Sequence, residues 1–147
     1  MCINYYKRDT SGNWLTTETQ QLLPSGADDN ATNQFGDALA MDASSIAVGA
    51  PGVDSNKGAV FIYEMSGNEY VEKAKLQGSD TSVDSEFSKK LTLNNGELFA
   101  MSTSGETYKF TQNGNGSWPV TETAIINNTG NSVDFDNHLL VIGDDGE

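Results

Sequence analysis

Residues 35–52 read FGDALAMDASSIAVGAPG, and this stretch decides the fold because the chain carries it, in weakened form, twice more. Residues 87–105, FSKKLTLNNGELFAMSTSG, lie over it at an offset of 52, so that Leu39 meets Leu91, Met41 meets Leu93, Ile46 meets Leu98 and Val48 meets Ala100. Residues 129–146, TGNSVDFDNHLLVIGDDG, lie over it at an offset of 94. That places Val133 on Leu39, Phe135 on Met41, Asp136 on Asp42, Leu140 on Ile46, Ile142 on Val48 and Gly143 on Gly49. Return at a fixed period marks a repeat architecture, in which one unit buries its apolar face only by stacking on the next.

The sequence outward from these stretches repeats as well. KGAVFIYEMSGNEYVEKAKL from Lys57 answers GETYKFTQNGNGSWPVTETAI from Gly105, and INYYKRDTSGNWLTTETQQL from Ile3 answers both. In this alignment Trp14, Tyr70 and Trp118 share one position, separated by 56 and 48 residues. A unit of about fifty residues falls in the range of four-stranded propeller blades and outside that of short helical repeats. The chain then divides into a half unit at 1–21, units at 22–74 and 75–124, and a second half unit at 125–147.

Within a unit, Leu39 and Met41, and Leu91 and Leu93, alternate with small or polar residues, the period of a half-buried strand. Ile46 to Ala50 and Leu98 to Met101 are compact apolar runs, joined to the first strands by polar turns at Ala43-Ser44-Ser45 and Asn94-Asn95-Gly96-Glu97. A third strand, Ala59 to Tyr63 or Thr107 to Phe110, is aromatic and β-branched, and glycine turns follow it. The fourth is polar: TTETQ after Trp14, EKAK after Tyr70 and VTETA after Pro119 read as an outer edge, where pairing is one-sided and proline is tolerated. No segment holds a sustained helical apolar period, so the reading is an all-β protein with essentially no helix.

Composition narrows the function. Eight Lys and Arg stand against 21 Asp and Glu in 147 residues, a net charge of −13. Such a chain lacks the basic footprint that displaces counterions from a duplex, so nucleic acid is excluded as a partner. The absence of an apolar run of about 18 residues excludes a spanning helix. Met1 to Arg8 has no basic-then-apolar secretory pattern. Cys2 is the only cysteine and His138 the only histidine, too few for an internal disulfide or a standard zinc site.

Phe35-Gly36, an alternating strand, Val48-Gly49-Ala50-Pro51-Gly52 and then Gly58-Ala59-Val60 resemble the FG-GAP repeat, named for its Phe-Gly and Gly-Ala-Pro elements. The motif is complete only in the unit from Phe35: the second copy has Phe87-Ser88 and Met101-Ser102-Thr103, the third Thr129-Gly130 and Gly143-Asp144-Asp145. The resemblance implies β-propeller blades of the kind found in integrin alpha subunits and bacterial surface proteins. It thus implies a non-enzymatic binding or adhesion module, extracellular or at a cell surface, with a protein or glycan ligand. The competing readings are a structural repeat that assembles a larger protein and a non-catalytic part of a larger enzyme. Glycines at 36 and 49 would allow a turn or a close backbone approach, and Pro51 would end its strand.

Integrin-like copies often carry a calcium loop of Asp-x-Asp-x-Asp-Gly-x-x-Asp type between the first two strands. Here that loop is Asp42-Ala43-Ser44-Ser45, Asn94-Asn95-Gly96-Glu97 or Asp136-Asn137-His138, too short and too poor in oxygen ligands, so no calcium and no other cofactor is carried over. The acidic loops Asp28-Asp29-Asn30 and Asp80 to Glu86 are the remaining candidates for a cation, through Asp80, Ser82, Asp84 and Glu86. A solvated surface is the stronger reading, since a calcium loop's glycine and bidentate glutamate are missing. His138 falls in a hairpin turn without a nucleophile motif, so no catalytic residue is assigned. Three sequons, at Asn30, Asn115 and Asn127, permit glycosylation only on a eukaryotic secretory route.

About three blades are too few for a closed propeller of four to eight. The half units are complementary in phase, which is expected both of a segment from a longer array and of two copies closing head to tail into a six-bladed ring. Self-association is expected either way, because half blades leave strand edges unpaired.

Overall fold

The computed structural model describes residues 1–128 and 130–144. Thr129, which completes the third sequon and opens the third copy, and the end of that copy from Asp145 to Glu147 lie outside the described residues.

The described residues form four antiparallel sheets in chain order. β1 (Ile3–Tyr5) and β2 (Gln20–Leu22) make a two-stranded half blade. β3 (Leu39–Met41), β4 (Ser45–Ala50), β5 (Ala59–Ser66) and β6 (Glu69–Leu76) make a full blade. β7 (Lys90–Asn94), β8 (Glu97–Met101), β9 (Glu106–Thr111) and β10 (Ala124–Asn127) make a second, and β11 (Ser132–Asp136) with β12 (Leu139–Gly143) a final half blade. The innermost strands lie side by side, β3 next to β7 and β7 next to β11. The fold is all-β and propeller-like. Short 3₁₀ turns occur at Gly26–Asp28 and Ala31–Asn33. The turn at Val53–Asn56 is one where Asp54, Ser55 and Asn56 adopt left-handed φ of 53°, 61° and 61°.

Cores lie between blades. Leu22, Phe35, Ile46, Val48, Phe61 and Tyr63 form one, where the first half blade meets the full blade after it. Ala47, Val60, Ile62, Phe87, Leu98, Tyr108, Phe110 and Trp118 form the next. Alternation makes this stacking: even-numbered residues of β4 face the preceding sheet and odd-numbered ones the following sheet. Two Phe residues act as matching wedges. Phe35 sets its edge on Phe61 and Tyr63, with centroids 5.6 and 6.3 Å apart, and Phe87 on Tyr108 and Phe110 at 5.1 and 6.1 Å.

The motif glycines do what their chemistry suggests. Gly36 turns the chain at φ 96° and donates to the Gly49 carbonyl. Gly49 is needed for approach, because a Cβ there would stand 2.5 Å from the Ser88 carbonyl of the next repeat. β4 ends at Ala50, immediately before Pro51.

Two expectations are corrected. VTETA after Pro119 does not form the fourth strand, which is β10, Ala124–Asn127. The loop closed by the Asn113 amide on the Ser117 carbonyl runs into Trp118 and Pro119, and pairing resumes only where the Thr123 amide reaches the Lys109 carbonyl. TTETQ likewise yields only the short β2, while EKAK lies inside β6 as read, because Gly67-Asn68 makes a tight hairpin there. The second correction is a one-residue slip in the third strands. Val48 pairs Phe61 and Ala100 pairs Tyr108, so Phe61 corresponds to Tyr108 at an offset of 47, with Gly58 and Gly105 both left-handed at its foot. The loop after β9 is longer than the turn after β5, and matching across both loops absorbed the difference.

Candidate functional site

The turns between first and second strands bind neighbouring blades to one another. Asp42 accepts from the amides of Ser44 and Ser45 in its own turn and from the Gly96 amide of the next blade at 3.1 Å. Asn94 donates to Asp136 at 2.7 Å one blade further on. Partial burial pushes the Asp42 carboxyl upward, but these amides outweigh it and hold the group below its ordinary 3.8. A lowered folded value means that the stabilisation is complete above about pH 4 and is lost as pH falls through the depressed value. Asp42→Asn is therefore expected to cost roughly 1 kcal/mol at neutral pH, and the cost should shrink as pH falls from about 4 through the depressed value. Urea midpoints of both proteins across that range check it; a gap independent of pH would remove the carboxylate from this role.

The opposite ends of the blades are tied by a second repeated contact that the alignment did not isolate. Ser25 donates its amide and hydroxyl to Glu72, at 2.9 and 2.8 Å, and Ser79 donates the same two groups to Glu122. Hydrogen bonds from Ser79 hold the Glu122 carboxyl below its usual range against the opposing effect of burial. The sequence signal is that Leu22 and Leu76 close the matching stretches that begin at Ile3 and Lys57, which puts Ser25 on Ser79.

The acidic loops belong to the same scaffolding. Asp28 binds Lys75 at 2.8 Å, Asp80 accepts from the Tyr108 hydroxyl at 2.7 Å, Asp84 accepts from Asn56 at 2.9 Å and Glu86 lies 3.8 Å from Lys89. Burial first, and Asp80 second, push the Tyr108 hydroxyl far above its ordinary value. The carboxylates of Asp80, Asp84 and Glu86 thus go to three different partners. His138 is exposed in the β11–β12 turn.

The surface that stands out is apolar. A groove of about 410 Å³ runs between the free edge of β1 and the inner strand β3, lined by Ile3, Tyr5, Trp14, Leu39, Met41 and Ile46. Its exposure follows from position in the array. Met41 is 63% exposed, whereas its equivalents Leu93 and Phe135 are 6% and 9% exposed. The latter two have the inner strands of a preceding blade against them, and Met41 faces a half blade that has only outer strands.

The three recurring aromatics follow the same rule and so sit in unlike surroundings. Trp118 is 8% exposed and donates its indole N–H to Glu64 of the blade before it at 2.9 Å. Tyr70 is half-buried against Tyr5 of the first half blade, with ring centroids 5.1 Å apart. Trp14, on the first half blade, is 64% exposed and lies against the Arg8 guanidinium, 4.7 Å from its ring.

Among the described residues no helix is long and apolar enough to cross a membrane. Residues 16–63 match the FG-GAP repeat family. No curated protein matches the chain.

Proposed function

From the FG-GAP repeat at residues 16–63, we propose that the protein is a non-enzymatic binding module of a surface or secreted protein, and that its ligand-binding surface is the groove beside β1. The observation that carries this reading is the apolar surface of Trp14, Leu39 and Met41 on a framework of inter-blade hydrogen bonds. Clustered exposed apolar side chains on a soluble protein mark an interaction site, and an open strand edge beside them favours a polypeptide ligand. The loop carboxylates Asp28, Asp80 and Asp84 are engaged by Lys75, Tyr108 and Asn56, which suits a scaffold better than a catalyst.

Binding of the chain to arrayed secreted glycoproteins and arrayed glycans tests the proposal. Retention on a protein is expected, weakened about tenfold or more by Trp14→Ala or Met41→Glu while circular dichroism stays unchanged. Binding indifferent to both substitutions, or turnover of an arrayed glycan, would count against it.

A further inference from the structure

Three Asn-Gly dipeptides, Asn95-Gly96, Asn113-Gly114 and Asn115-Gly116, carry the same latent chemistry, because a glycine nitrogen has no side chain beside it to hinder attack on the preceding asparagine. The fold treats them differently. All three asparagines are exposed, so the choice lies with the glycine amide, which must lose its proton before it can attack. Gly96 is buried in the β7–β8 turn, and the Asp42 carboxylate of the preceding blade accepts its N–H at 3.1 Å. An anionic acceptor opposes deprotonation of that amide directly. Gly116 is exposed, but its N–H donates to the Asn113 carbonyl at 2.8 Å. The Asn115 side-chain oxygen is also engaged, accepting from the Ser117 amide at 3.0 Å and from the Ser117 hydroxyl at 2.7 Å. Gly114 is exposed, and its N–H has no acceptor among the described residues.

We propose that Asn113 is a site of spontaneous deamidation to isoaspartate, and that the hydrogen bonds on the Gly96 and Gly116 amides protect the other two asparagines. Hydroxide takes the Gly114 amide proton, and the nitrogen attacks Cγ of Asn113. As that N–Cγ bond forms, the Cγ–Nδ2 bond breaks, and the side-chain nitrogen leaves as ammonia after taking a proton from water. The product is a five-membered succinimide. A second water opens it at either carbonyl, giving aspartate or isoaspartate without any oxidation or reduction. Asn113 Nδ2 donates to the Ser117 hydroxyl at 3.0 Å, while Oδ1 of the same side chain accepts nothing among the described residues. The carbonyl under attack therefore has no donor to give up.

The position of this loop gives the modification a consequence. Asn113 closes it from both sides, donating its amide to the Ser117 carbonyl and accepting from the Gly116 amide, each at 2.8 Å. The neighbouring Gln112 side chain bridges the Gly116 carbonyl and the Glu64 carboxylate, each at 2.8 Å, and Glu64 also accepts from the Trp118 indole. Isoaspartate routes the main chain through the former side chain and turns the residue's own carbonyl into a free carboxylate. The loop thus gains a methylene and a charge where it is pinned, next to the contact that joins the two full blades.

Native protein incubated at mildly alkaline pH and then digested in acid tests the assignment, with electron-transfer tandem mass spectra separating the three sites and telling isoaspartate from aspartate. Asn113 should react about tenfold faster than Asn115 and about 100-fold faster than Asn95, the factors that losing a neutral and a charge-assisted hydrogen bond impose on a rate. In concentrated urea, where the fold no longer holds any amide, the three rates should converge. Gly114→Ala should slow Asn113 several-fold by crowding the attacking nitrogen. It should do so without disturbing the fold, because Gly114 is not left-handed and a Cβ there meets nothing within 4 Å. Reaction led by Asn95 or Asn115, an inert Asn113 in protein that reacts once unfolded, a preference for Asn113 that persists in urea, or a rate indifferent to Gly114→Ala would each overturn the proposal.

Discussion

Replacing Phe87 with alanine is expected to remove about 3–5 kcal/mol of folding stability, a large share of the roughly 5–15 kcal/mol typical of a domain. The ring is fully buried and stands with its edge on Tyr108 and Phe110. Both the lost transfer energy and the residual cavity contribute, because the surroundings are held from two sides and cannot collapse. The Glu86 amide is tied to the Asn56 carbonyl at 2.8 Å and the Phe87 amide to the Lys57 carbonyl at 3.1 Å, so the backbone carrying residue 87 is fixed to the preceding blade. Edge-on aromatic contacts add about 0.5–1.5 kcal/mol beyond the area buried. Val120→Ala is the comparison, since that side chain is almost wholly exposed and its loss should stay within about 0.5 kcal/mol. Urea denaturation of the three proteins reads the difference. If Phe87→Ala and Val120→Ala proved equivalent, stability would not reside in the cores between blades.

The residues that the sequence revealed best are those whose role is set within one blade. Leu39, Met41, Leu91 and Leu93 alternate, and they fall on β3 and β7; Ile46 to Ala50 is apolar on both faces, and it is β4, covered from both sides. The third and fourth strands were less legible for a geometric reason. A strand has a period of two, so one extra residue in the loop after β9 shifts the apparent match of Phe61 from Tyr108 to Lys109 and exchanges the faces. The outer strands carry little apolar pattern, and Pro119 with the loop before it displaces β10 toward Ala124 without a hydrophobic signal to mark the change. Least visible was exposure. Nothing in the residue types tells Met41 from Leu93, or Trp14 from Trp118; burial there is a property of which sheet precedes them. The groove was therefore legible only as an expected open edge, whereas its residues emerged from the stacking. Asp28, Asp80 and Glu86 were visible as acids, but their partners Lys75, Tyr108 and Lys89 lie at separations of 47, 28 and 3 residues, which no local pattern predicts for the first two.

The close approach of successive blades leads to the other large expected effect, at Gly58. This residue has φ 90°, where side chains are strained, and a Cβ built on it would lie 2.0 Å from the Phe87 carbonyl oxygen, a backbone atom with nowhere to move. The two residues form an isolated parallel bridge, the point at which the chain entering one blade touches the chain leaving the turn of the blade before it. Gly58→Ala is thus expected to cost on the order of 3–5 kcal/mol, combining about 1–2 kcal/mol of backbone strain with forced separation of the strands that carry Phe87. Gly67→Ala separates the two contributions. Gly67 also has positive φ, 67°, but a Cβ there meets nothing within 4 Å, so only the strain of about 1–2 kcal/mol should appear. The excess at Gly58, measured as the difference between the two denaturation midpoints converted with a common slope, is the cost of parting neighbouring repeats. Equal losses at both glycines would show that the backbone contact between blades is slack, and the Phe87 core would then have to yield far more readily than its packing implies.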